Sequence, residues 1–202
     1  MIRQSDSTTD LPLIRWGEQL RRDKKRRRKI RNRACTIGLG LSVLVDTIIL
    51  PPAPRLIWNA SASAPVGLYV VHPGAHVATG DIVIAKLPLT MRKLAAERRY
   101  LPAGVPLVKQ VAAGPGDIVC ASATRIFVNG RWLVSRRPAD VSGRPMPWWT
   151  GCHILHDRQY FLAMPSVPTS FDGRYFGITQ ASDIVGRAYL MWARPPEGSS
   201  DD

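Results

Sequence analysis

Thirteen residues, Arg21 to Arg33, hold ten lysines and arginines and one acid, and they run directly into seventeen largely apolar residues, Ala34 to Leu50, that stop at Pro51-Pro52. No other stretch restricts the architecture of this chain so much. A helix of seventeen residues is about 25 Å long, at the short end of what spans the hydrocarbon core of a bilayer. Asp46 falls near its far end, where a charge can reach the interface at reduced cost. A cationic flank stays on the cytoplasmic side of such a span. The expected organisation is a basic cytoplasmic tail (1–33), a transmembrane anchor (34–50) and an extracytoplasmic domain (51–202). Of the net charge of +13, +8 lies in residues 1–33, where twelve basic residues face four acidic ones. The basicity is therefore mostly a property of the tail. Such a run can also bind phosphates, but the apolar segment behind it favours the membrane reading, and no nucleic-acid partner is expected. A cleavable signal peptide has the same order of parts. The apolar run is longer than an ordinary signal core, which favours a retained anchor. A buried soluble helix fits the ten-cation flank least.

From Leu56 onward the pattern is mainly β. Short β-rich runs are expected at Gly67–Val71, Asp81–Lys86, Leu107–Ala113, Ile118–Ala121, His153–Leu155, Tyr160–Ala163 and Ile184–Trp192. Ile126 to Val134 predicts a hairpin, because Asn129-Gly130 suits a two-residue type I′ turn. One short helix is expected over Leu89–Tyr100, ending before Pro102. Arg136 to Thr150 is rich in proline and glycine and predicts a long surface loop. Many short strands and few helices predict a compact, barrel-like β fold. There is no internal repeat.

Three stretches carry chemistry. In Asn59-Ala60-Ser61-Ala62-Ser63-Ala64-Pro65-Val66-Gly67 two serines sit two apart among small residues, and Pro65 stiffens the backbone beside them. That suits a nucleophile, and equally a plain loop. Lys109 stands in the apolar run Leu107–Ala113, ahead of a Gly-Pro-Gly-Asp turn. A lysine buried there loses proton affinity and becomes able to take a proton from a serine; on a strand edge it would snorkel to water instead. In Ser170-Phe171-Asp172-Gly173-Arg174-Tyr175-Phe176-Gly177 the acid and the arginine can pair, which a structural turn also explains.

Taken in order, Ser-x-Ser-x-Pro, Lys-x-Val-x-x-x-Pro-Gly-Asp and Ser-x-Asp-x-Arg-Tyr-Phe-Gly resemble the boxes of the type I signal peptidases, which are Ser–Lys proteases. The Pro-Val-Gly-Leu-Tyr tail of the first box and the full third box resemble the TraF-type branch, the conjugal-transfer pilin-processing peptidases. The resemblance covers about residues 34–192. It implies a signal-peptidase-like β-barrel domain behind one transmembrane helix, anchored in the bacterial inner membrane with the catalytic domain in the periplasm. It implies Ser63 as nucleophile and Lys109 as general base. Ser61 would help the Ser63 N–H at the oxyanion, Ser170 would orient the lysine, and Asp172 and Arg174 would hold their loop. The substrate implied is a protein precursor, a pilin or a preprotein with a leader, cut after small residues. Some features depart from the housekeeping pattern. Residues 110–169 leave no room for a large accessory domain, one residue separates Ser63 from Pro65, and Met164–Thr169 stands where Gly-Asp-Asn is usual. A housekeeping signal peptidase and a non-catalytic membrane-anchored component of a transfer channel are the alternatives.

Of the three cysteines, Cys35 falls in the apolar run, while Cys120 and Cys152 fall in the domain expected outside, where disulfides persist. Both a Cys120–Cys152 bridge and two buried thiols are open. No Cys-x-x-Cys or His-Glu-x-x-His occurs, so no metal or cofactor is expected. His72, His76, His153 and His156 are scattered, and nothing in their context singles one out as a partner for serine.

Overall fold

The structure, a computed structural model, describes residues 11–49 and 53–194. The Pro51-Pro52 stop, Leu50 and the first ten residues of the tail lie outside them. The chain divides into two units, residues 1–52 and 53–202.

The first unit holds one helix, α1 (Leu11–Ile49). The helix starts well before the apolar run, because lysine and arginine are good helix formers and neither glycine nor proline interrupts Glu18 to Ile37. Its stretch Leu20–Ile49 is long and apolar enough to cross a membrane, with a mean hydropathy of 1.3 over its most apolar window. Ile37, Leu39, Leu41, Leu44, Ile48 and Ile49 are all exposed. Leucines and isoleucines on every side of a helix need an apolar surrounding.

The second unit is antiparallel β. Its strands are β1 (Leu56–Asn59), β2 (Gly67–His72), β3 (Ile82–Ala85), β4 (Leu107–Ala113), β5 (Ile118–Ser122), β6 (Arg125–Val128), β7 (Arg131–Ser135), β8 (Gly151–Ile154), β9 (Gln159–Ala163), β10 (Thr179–Gln180) and β11 (Ile184–Ala193). Helix α2 (Leu89–Glu97) and the single turn α3 (Gly173–Phe176) complete it. Seven strands form a sheet in the order β1-β2-β11-β3-β4-β9-β10, curled into a half-barrel. Bulges between Leu190 and Trp192, between Ile184 and Gly186 and between Val111 and Ala113 bend it. The other four strands form a small sheet, β7-β6-β5-β8.

Most expected strands appear within a residue or two, and β4 has the expected bounds. Asn129 and Gly130 both have positive φ, 50° and 77°, as a type I′ turn requires. Helix α2 stops three residues early, where Arg99 turns left-handed at φ 58°. Strand β8 starts two residues early and places Cys152 opposite Cys120, and the two are bridged. Three elements carry too little pattern to be expected individually: β1, β10 and α3, of four, two and four residues.

Two of the four buried apolar clusters among the domain's described residues hold most of its core. One lies under the Ser61–Pro65 loop, with Ala64, Tyr69, Val71, Ile84, Val108, Met164 and Ala188 buried together. The other joins the small sheet to β4 and β9 through Val119, Ile126, Val134, Leu155, Phe161 and Ala163. Gly67 cannot be larger, since a Cβ there would lie 2.1 Å from the carbonyl oxygen of Trp192.

Candidate active site

Strand β4 is an interior strand, hydrogen-bonded to β3 on one side and β9 on the other. A side chain in its middle has no edge to escape from. Lys109 faces Val83 across the sheet and is 1% exposed. Burial pushes its amine down from 10.5 to about 8, because the charged form loses its hydration. The Asp172 carboxylate pulls it up and the Arg174 guanidinium pushes it down, both less than burial does. Among the described residues Lys109 makes no ion pair. Its Nζ lies 2.7 Å from Ser63 Oγ and 2.9 Å from Ser170 Oγ. The sequence reading that buries this lysine holds, and the snorkelling alternative does not.

The serines come from a loop between β1 and β2. Ser63 is half-buried and Ser61 exposed. Ser61 Oγ is 2.9 Å from Ser63 Oγ and accepts a hydrogen bond from the Ser63 N–H at 3.3 Å. Ser61 therefore stands at both atoms an acyl-transfer site would use.

The third box forms a brace. Asp172 caps α3, accepting from the Arg174 N–H at 3.1 Å. Its carboxylate also takes Arg174 Nε at 2.8 Å and Nη2 at 2.7 Å, a bidentate fork. Neither side chain is exposed at all. The remaining polar valences are filled. Met164 N–H donates to Asp172 at 3.0 Å, and Arg174 donates to the carbonyls of Val167, Met164, Pro168 and Ser135 at 2.8–3.4 Å. The brace thus fixes the 164–170 turn that delivers Ser170, itself 2% exposed, to Lys109.

All six residues singled out in the sequence meet in this one region. The sequence reading missed their supports. Asn59 and Tyr69 hold the serine loop. The end of β7 and the following loop hold α3, with Arg136 Nη1 donating to the Arg174 carbonyl at 3.4 Å, the Arg137 N–H to Tyr175 Oη at 3.1 Å and Trp149 Nε1 to the Gly173 carbonyl at 3.1 Å. Arg136 is buried under Trp148, whose ring centre lies 3.6 Å from the guanidinium carbon. Only Asn59 carried a local signal, as an asparagine two residues before a polar turn position. The four histidines are exposed, and none is bonded to either serine. No group of histidine, cysteine, aspartate or glutamate suited to a metal ion occurs among the described residues.

Chemically, a hydroxyl touching an amine that burial lowers to about 8 is an arrangement able to serve as a nucleophile beside a base. The neutral amine has one lone pair to accept the Ser63 proton and an N–H for Ser170. The Ser63 N–H, held only by a rotatable hydroxyl, is a donor available to a developing oxyanion.

Residues 28–193 match the model of the family described as "Signal peptidase, peptidase S26". The chain is 35% identical over 146 residues to a plasmid transfer protein TraF of Escherichia coli, covering 66% of this chain and 82% of that one. It is also 35% identical over 148 residues to a probable conjugal transfer protein TraF of Sinorhizobium fredii (strain NBRC 101917 / NGR234), covering 68% and 77%. Among solved structures, a signal peptidase I from Enterococcus faecalis V583 aligns with a TM-score of 0.33 at 17% identity, over 56% of this chain and 97% of that one. The chain belongs to the S26 signal peptidase family and is of the TraF type.

Proposed function

We propose that this protein is a membrane-anchored serine endopeptidase with a Ser63/Lys109 dyad that cleaves pilin or leader-bearing precursors after small residues during conjugative transfer. The observation that carries the proposal is the 2.7 Å contact between Ser63 Oγ and a lysine that is 1% exposed. Ser63 Oγ attacks the scissile carbonyl carbon while its proton passes to Lys109 Nζ. The oxyanion accepts from the Ser63 N–H and, after the Ser61 hydroxyl rotates, from Ser61. Collapse breaks the C–N bond, and Lys109 protonates the leaving amine. Water, deprotonated by the same lysine, then hydrolyses the acyl-enzyme. Ser170 orients Lys109 throughout, and Asp172 and Arg174 hold Ser170. The substrate lies extended along the serine loop, where Ala62 and Ala64 leave room for a chain with small side chains at the cut.

The proposed layout keeps residues 1–33 in the cytoplasm, residues 34–50 across the inner membrane and residues 51–202 as the peptidase domain in the periplasm. The basic flank and the unburied apolar helix support it, and the bridged cysteines fit an oxidising compartment. The test is incubation of the detergent-solubilised protein with the pilin precursor of its own transfer operon, with the product mass measured. One cut after a small residue, abolished by Ser63→Ala and by Lys109→Ala, is expected. Normal trimming by either variant overturns the dyad. Efficient cutting of general secretory precursors but not the pilin favours a housekeeping role. No cutting of either favours a non-catalytic transfer component.

A further inference from the structure

The loop that carries both serines has almost no support of its own. Between the last residue of β1, Asn59, and the first of β2, Gly67, run seven residues without regular structure. Asn59 and Gly67 are paired across the two strands, so the loop is closed at its base. Ala60, Ser61 and Ala62 are exposed, and only Ala64 is buried. The backbone bond within the loop is a long one, Ala64 N–H to the Ser61 carbonyl at 3.4 Å. Each residue left free in such a loop keeps backbone entropy that must be offset before Ser63 can hold one position.

One side chain supplies four of the hydrogen bonds that offset it. Asn59 is 5% exposed, and its amide makes four hydrogen bonds, all to this loop. Its Oδ1 accepts from the Ser61 N–H at 3.0 Å, an Asx turn. Its Nδ2 donates to the carbonyls of Ser61, Ala64 and Pro65 at 3.0, 3.1 and 3.1 Å. Tyr69 Oη adds a second donor to the Pro65 carbonyl at 2.9 Å. The carbonyls on both sides of Ser63 are thereby turned in toward Asn59. The Ser63 N–H is left facing only the Ser61 hydroxyl, and Ser63 Oγ faces Lys109.

We propose that Asn59 is a positioning residue for the reaction: its buried amide sets where the nucleophilic oxygen and the oxyanion-binding N–H of Ser63 stand, without itself touching substrate. The assignment rests on the Ser63/Lys109 reading above. It demands a carboxamide, since an acceptor and a double donor are needed at once in a dry site. Aspartate offers only acceptors and would bring a charge against three carbonyls. Serine or threonine can keep the turn to the Ser61 N–H but cannot reach Ala64 and Pro65.

The test measures kcat, KM and the pH profile of full-length Asn59→Asp and Asn59→Thr in detergent, on the same pilin precursor, beside wild type and Ser63→Ala. A 1 Å displacement of a reacting atom costs about 100-fold, so kcat is expected to fall about 100-fold with KM within about threefold. The rising pH limb set by Lys109 should not move, because the lysine touches the loop only through the Ser63 hydroxyl and is held buried on β4 between β3 and β9. Asn59→Thr keeps the experiment decisive should Asn59→Asp fail to fold. Two results overturn the positioning role while leaving the dyad intact, as shown by an inactive Ser63→Ala. One is a kcat within about threefold of wild type. The other is a loss of kcat accompanied by a limb that climbs toward 10, which means water has reached Lys109 and the residue is ordinary scaffolding. Full cleavage by Ser63→Ala removes the dyad and the positioning role together.

Discussion

The sharpest consequence of the buried lysine is a pH profile whose midpoint can be stated in advance. Burial takes the Lys109 amine from 10.5 to about 8. At pH 7 that raises its neutral fraction about 300-fold, to about a tenth of the molecules. Only the neutral amine can take the Ser63 proton, so kcat/KM should rise with pH and level off with a midpoint near 8, the value for the free enzyme. The neighbours make the assignment to Lys109 testable. The Asp172 carboxylate holds the amine up and Arg174 pushes it down. Asp172→Asn should therefore move the limb to lower pH, and Arg174→Gln should move it to higher pH. Each variant breaks a fully buried pair and costs about 3–5 kcal/mol, so rates should be taken well below the melting temperature of each. The assay is initial-rate cleavage of the precursor between pH 6 and 10.5, with circular dichroism at each pH to confirm folding. A limb near 6.5 would point to histidine. A limb near 10.5, or shifts of the wrong sign in the two variants, would refute the claim that a desolvated lysine is the base.

Other consequences concern stability. The folded-state value of Lys109 lies below its unfolded value, so the unfolded chain binds more protons between pH 8 and 10.5, and stability climbs across that window and is missing at pH 7. Lys109→Met should thus stabilise the inactive protein at pH 7 by at most about 3 kcal/mol, a gain that thermal melts should show disappearing by pH 10.5. Gly173→Ala should destabilise by about 1–3 kcal/mol, because its Cβ would sit 2.7 Å from the Leu162 carbonyl oxygen and 2.8 Å from the Phe161 ring; an unchanged melting temperature would refute the close approach of α3 to β9. Reducing the Cys120–Cys152 bridge, which spans 32 residues, should cost about 3–4 kcal/mol on the chain-entropy account, read as a lower melting temperature with added reductant.

How much of this was legible in the sequence depended on whether a residue's surroundings were local. Strand β4 could be bounded from its own apolar run, and the Asn129-Gly130 turn announced its hairpin. The Asp172–Arg174 pair is two residues apart and could be foreseen. Its isolation from water could not, because the carbonyls that enclose Arg174 come from the 164–170 turn, Met164 and Val167, and from the distant end of β7, Ser135. Arg136 reads as one more surface arginine in a basic protein. It is buried because Trp148 and the carbonyls of Ala123 and Arg174 close over it. Lys109 is intermediate. Its apolar run suggested burial, but an edge strand has the same composition, and only the pairing of β3 and β9 on either side removes that option.

The spacing of the third box has a physical reason that joins these parts. A lysine whose amine is to stay near 8 must not have a free carboxylate within reach, since an adjacent negative charge strengthens its hold on the proton. Yet the loop that brings Ser170 to Lys109 is organised by a carboxylate, Asp172, which accepts four hydrogen bonds. Arginine two residues further on resolves the conflict. Its guanidinium occupies both carboxylate oxygens and opposes the Asp172 charge felt at Lys109. The site keeps the geometry that a carboxylate provides while the guanidinium works against its field. Burial of the lysine then remains the dominant influence on its amine, and its hydrogen-bond partners among the described residues are two hydroxyls. A glutamine in place of Arg174 would keep some of the bonds to the loop but leave the charge of Asp172 exposed to Lys109. That is why the loss should appear as a displaced pH limb, over and above any loss of stability.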